Sequence, residues 1–93
     1  MTRKECILSL LAEECSEVIQ RIFKVFRYGS EDVQEGQMLS NEDRITHEFT
    51  HVLAAYEMSG LQWPSRQAID ARKQYLAAVL IIGFTDEEEN VQQ

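Results

Sequence analysis

Proline occurs once and glycine four times in 93 residues. That is too little turn chemistry for a sheet-rich chain and too little breaker content for a disordered one, so the balance points to helices. Cysteine is scarce as well: Cys6 and Cys15 lie nine apart on one predicted helix, off any common face. Both are read as reduced thiols of a cytoplasmic protein rather than as a disulfide. A long hydrophobic run is missing. The most apolar stretch, residues 75–84, is far too short to span a bilayer, and Glu5 with Glu13 and Glu14 interrupts any signal-peptide core after the basic start. No membrane partner is expected.

Positive charge is in deficit. Nine Lys and Arg against sixteen Asp and Glu give a formal net charge of -7, which argues against a nucleic acid polymer as partner, because phosphates need a basic surface. Part of that charge sits in Asp86-Glu87-Glu88-Glu89, and a bound metal would neutralise another part, so single nucleotides stay open as ligands. No Ser/His/Asp catalytic arrangement, glycine-rich phosphate loop or Cys/His zinc pattern is present.

What is present is ordinary globular material, 44% hydrophobic and 27% charged. The length allows one domain, placed at residues 1–85 with a flexible acidic tail over 86–93, and so small a domain buries a modest share of its surface alone. A first long helix is predicted from about Thr2 or Arg3 to about Arg27, with Gly29 as its stop. Residues 30–39 read as a loop. Ser40 or Asn41 can cap a second helix, which runs to about Ser59 and ends at Gly60. Pro64 or Ser65 opens a third, whose later half, residues 76–82, is apolar nearly all round and calls for cover from a second subunit.

Charge within the first helix stands in an odd place. At about 100° per residue, Ile7, Leu8, Leu11, Cys15, Val18, Ile19, Ile22 and Phe26 share one wide face. Glu14 lies at its edge, and Glu17, Arg21 and Lys24 extend the same flank. In the second helix Ile45, Phe49, Val52, Leu53 and Tyr56 form the apolar face, with Glu48 and His51 together on its flank beside Ala55. Packing through the apolar faces lets the flank groups converge. Three carboxylates and an imidazole around one spot suit a divalent cation.

Glu13-Glu14-Cys15-Ser16-Glu17, then Lys24-Val25-Phe26-Arg27-Tyr28-Gly29, then Asn41-Glu42-Asp43-Arg44-Ile45 and Glu48-Phe49-Thr50-His51 together resemble the signature of the MazG-like all-α nucleoside triphosphate pyrophosphohydrolases. Their pattern is an ExxE pair followed, after a variable spacer, by an ExxD pair. The resemblance covers residues 11–58. It departs at His51, which stands where the family has its last aspartate, and in a spacer at the long end of the family's range.

The resemblance implies an all-α fold, a four-helix-bundle-type core completed by dimerisation, and a homodimer or homotetramer. It implies Mg²⁺ or Mn²⁺ held by Glu14, Glu17, Glu48 and His51, with the three glutamates as the catalytic set. Lys24 and Arg27 are then expected on triphosphate oxygens, and Asn41 and Arg44 on the base or phosphates, although a helix cap explains Asn41 equally well. Blander readings stand beside these. Glu17 and Arg21 make an ordinary surface i,i+4 pair, and His51 reads as a ligand, as a substitute that binds water, or as the mark of a disabled site. The alternatives to an enzyme are a catalytically impaired nucleotide-binding protein and an acidic helical interaction module.

Overall fold

A computed structural model describes residues 1–83. Among these it has three helices and no strand: α1, Arg3–Tyr28; α2, Asn41–Ser59; and α3, Arg66–Gly83. The fold class is all-α, as the scarcity of turn residues implies. The acidic tail expected over residues 86–93 lies outside the described residues.

Local chemistry sets the helix ends. At the start of α1 the Thr2 hydroxyl accepts from the Glu5 amide at 3.1 Å while the Glu5 carboxylate accepts from the Thr2 amide at 3.0 Å, a reciprocal cap that satisfies two otherwise unpaired donors. The bond from the Thr2 backbone, and after it the Thr2 hydroxyl, hold the Glu5 carboxyl below the ordinary glutamate range. At the other end Gly29 has φ 94, and its amide donates to the Val25 carbonyl at 2.8 Å; a side chain there would be strained. Ser40 caps α2 by accepting from the Asp43 amide at 3.1 Å, with Glu42 and Asp43 in the first turn where negative charge favours the helix dipole. Gly60, at φ 73, closes α2. Of the two expected caps, Ser40 is used, which leaves the Asn41 side chain for another task.

The chain divides into two compact units, Met1–Leu61 and Gln62–Gln93. In the first, α1 and α2 pack against each other. Glu14 meets His51 and Arg21 meets Glu48, so falling numbers on α1 pair with rising numbers on α2 and the helices are antiparallel. Their seam holds Ile7, Leu11, Val18 and Val25 of α1 with Ile45, Val52, Ala55 and Tyr56 of α2, all buried or half-buried. Ile7, at 6% exposure, and Ala55, at 8%, are its most enclosed apolar residues.

This seam is narrower than the apolar face read from the sequence. Leu8, Ile19, Ile22 and Phe26 of α1, with Phe49 and Leu53 of α2, keep 36% to 73% of their surface exposed. One neighbouring helix covers only a stripe roughly 100° wide, and these positions lie farther round. Because the helices are antiparallel, the same rotational sense along each axis carries both uncovered apolar stripes to one side of the pair. Glu14, Arg21, Glu48 and His51 fall on the other side.

In the second unit, Ser65 opens α3 by accepting from the Ala68 amide at 3.0 Å, and Arg66 pairs with Asp70 at 3.1 Å one turn on. Leu76, Val79, Leu80 and Ile81 are exposed. Among the described residues of this unit there is no second helix to cover this end. No helix among the described residues is long and apolar enough to cross a membrane.

Candidate functional site

Three of the four side chains expected around a cation come together. One donor atom each from Glu14, Glu48 and His51 lies within 4.8 Å of the others. His51 Nδ1 is 3.4 Å from Glu14 Oε2 and 3.2 Å from Glu48 Oε2. The Glu48 side chain is only 14% exposed, and the seam keeps it there: Val52 and Ile45 pack at neighbouring positions, so the carboxylate emerges at the edge of the α1–α2 contact. His47, one turn before His51, sets its ring edge-on to the His51 ring, with centroids 4.8 Å apart.

Glu14, Glu48 and His51 are a candidate donor set for a divalent ion. Ligand atoms about 2.1 Å from one ion and roughly 100° apart are separated by about 3.2 Å, close to both distances from Nδ1. Two carboxylates with one imidazole form a harder set than a zinc finger and a softer one than an all-oxygen magnesium site, which favours Mn²⁺ and its neighbours. The same separations also suit an imidazolium held between two carboxylates.

Glu17 is not part of this group, and among the described residues it has no ion pair. Arg21, expected to pair with Glu17, instead points across the seam, its Nε 3.7 Å from Glu48 Oε1. Position 21 lies about 20° from position 14 around the helix, whereas position 17 lies about 60° farther from the seam. The heptad spacing from Glu14 to Arg21 was the available signal for this partner, and the i,i+4 reading obscured it.

Lys24 and Arg27 flank one ring: Lys24 Nζ is 5.6 Å and Arg27 Cζ 5.4 Å from the centre of Tyr28. These are cation–π distances that line up two positive charges at the end of α1.

Asn41 and Arg44 have structural partners. Asn41 is 1% exposed; its Nδ2 donates to the Gly29 carbonyl at 3.0 Å and to Asp32 Oδ2 at 3.4 Å, while its Oδ1 is buried without a hydrogen-bond partner among the described residues. Turning the amide over would set Oδ1 against two acceptors, so the donor belongs where it is. Arg44, also buried, donates to Gln34 Oε1 at 2.8 Å. The Asn41 and Glu42 amides donate to the carbonyls of Asp32 and Ser30 at 2.8 and 3.1 Å. Together these bonds tie residues 29–34 to the start of α2. Their side chains are thus committed to the loop, a role that depends on loop conformation and left no periodic signal in the sequence.

Comparison of the chain with protein-family models, with curated proteins and with solved structures finds no match.

Proposed function

We propose that this protein is a metal-dependent nucleoside triphosphate pyrophosphohydrolase of the MazG-like kind, converting a nucleoside triphosphate to its monophosphate and pyrophosphate in the cytoplasm. The observation that carries the reading is the convergence of Glu14, Glu48 and His51 donor atoms within 4.8 Å, on a helix flank that continues into Arg21 and Lys24. A bound Mg²⁺ or Mn²⁺ supplies polarisation of the α-phosphate and acidification of a water.

The rest is work for the chain's own groups. Glu17, outside the donor group, holds the attacking water and accepts its proton as the new bond forms at the α-phosphorus. The bond from that phosphorus to its bridging oxygen breaks, and Lys24 and Arg27 balance the charge gathering on the departing pyrophosphate. Asn41 and Arg44 serve by holding the loop, and a second copy of the chain covers the exposed apolar stripe to give a homodimer or homotetramer.

A panel of nucleoside triphosphates with Mg²⁺ and with Mn²⁺, separating pyrophosphate from orthophosphate, tests this reading. One pyrophosphate per nucleotide consumed is the expected result. Stoichiometric orthophosphate without added pyrophosphatase refutes the chemistry. A clean binding isotherm without product assigns the chain to nucleotide binding alone, and no nucleotide binding with either ion assigns it to protein interaction.

A further inference from the structure

The cluster contains a charge that metal binding by itself does not account for. Arg21 is withdrawn from water, its side chain 18% exposed, and its Nε is buried without a hydrogen-bond partner among the described residues. The 3.7 Å to Glu48 Oε1 is too long for a hydrogen bond. A guanidinium in such a place is costly unless an opposite charge compensates it, so Arg21 is held there by the field of the carboxylates rather than by a directed bond. Glu48 is thereby divided: Oε1 faces a permanent cation, and Oε2 faces the imidazole that Glu14 shares.

We infer that Arg21 is the resident cation of this site, confining it to a single divalent ion by engaging Glu48 Oε1 and repelling a second ion. The inference rests on the metal reading above. Two carboxylates and one guanidinium leave a single negative charge. One divalent ion beside a neutral imidazole turns that into a single positive charge, which suits a polyphosphate. A second ion would raise it to three positive charges at a half-buried spot, and Glu17 would remove only one of them. Arginine suits the position because its guanidinium stays charged and is weakly hydrated, so it tolerates the seam better than an ammonium. Arg21 is a positioning residue, acting through Glu48.

Mn²⁺ binding to the full chain, followed by the electron paramagnetic resonance of free Mn²⁺, tests this without any turnover. The parent is expected to bind one ion per chain. Arg21→Met and Arg21→Gln, which remove the charge while keeping a stem in the seam, are expected to bind the first ion roughly tenfold more tightly and to admit a second. Arg21→Lys, which keeps a cation, is expected to stay within about threefold of the parent. Circular dichroism checks that each variant is folded, and Arg21→Gln decides if Arg21→Met is not. Unchanged or weaker affinity in the folded neutral variants overturns the inference and leaves the metal reading standing, as do two comparably tight ions in the parent. Absence of binding in the parent and in every Arg21 variant overturns both. Binding confined to the neutral variants also overturns the inference, because the parent site then holds no ion.

Discussion

Replacing Asn41 separates a structural residue from a substrate contact. Asn41→Ala removes the bonds to the Gly29 carbonyl and Asp32, of which the longer contributes little. It also removes the buried, unpaired Oδ1, which offsets part of the loss. One net hydrogen bond is worth about 1 kcal/mol and an acceptor left without its donor costs about 1–3 kcal/mol; the cost here is expected at about 1–2 kcal/mol. Asn41→Asp has nearly the same shape and a different outcome. Its carboxylate has no donor for Gly29 and meets the Asp32 carboxylate, and at 1% exposure its desolvation adds several kcal/mol. Its favourable place at the start of α2 returns up to about 1 kcal/mol. The net loss is expected at about 3 kcal/mol, and in a chain this size each kcal/mol lowers the melting temperature by roughly 4–8 °C. Thermal unfolding at neutral pH, followed by circular dichroism, should therefore rank parent, Asn41→Ala and Asn41→Asp in falling order. An Asn41→Asp variant as stable as the parent would refute the reasoning and release the residue for contact with a ligand.

Two further predictions concern the cluster and the apolar stripe. An imidazole must be neutral to donate a lone pair to a metal, and a carboxylate suits magnesium better, so His51→Asp is expected to raise magnesium-dependent activity and shift preference from Mn²⁺ toward Mg²⁺, while Glu48→Gln abolishes activity with either ion. A folded His51→Asp variant with both properties unchanged would make the imidazole a bystander. The parent is expected to be a dimer or higher oligomer by light scattering at micromolar concentration, and Ile22→Glu, which places a charge in the exposed stripe of α1, is expected to shift it toward monomer. A well-folded monomeric parent would contradict this.

Helix ends were the most readable feature because caps are local. Thr2 with Glu5, Ser40 with Asp43, and Gly29 and Gly60 act through neighbours at most four residues away, and each appears where residue type places it. The cluster was readable to the extent that it follows from helical angle: Glu48 and His51 share a flank by their spacing alone, and Glu14 lies at the edge of the seam. Glu17 and Arg21 exchanged importance because the antiparallel partner, not the i,i+4 neighbour, decides which flank position is enclosed. The loop partners of Asn41 and Arg44 were not readable for a different reason. They lie in residues 29–34, whose path is set by glycine geometry and backbone bonds that have no periodicity.

The division of the helix pair into two sides bears on how assembly and chemistry relate. Leu8, Ile19, Ile22, Phe26, Phe49 and Leu53 lie to one side of the α1–α2 seam, and Glu14, Arg21, Glu48 and His51 to the other. A partner seated on the apolar side buries hydrophobic area without touching the donor atoms, while an ion on the charged side changes electrostatics without altering the apolar stripe. The seam links them mechanically, since Glu14 and His51 meet at the edge of the same α1–α2 contact that half-buries Val18 and Val52. On the proposed reading, assembly through the apolar side would act on ion binding through the rigidity of this register, and a loosened seam would weaken the cluster even with every donor in place.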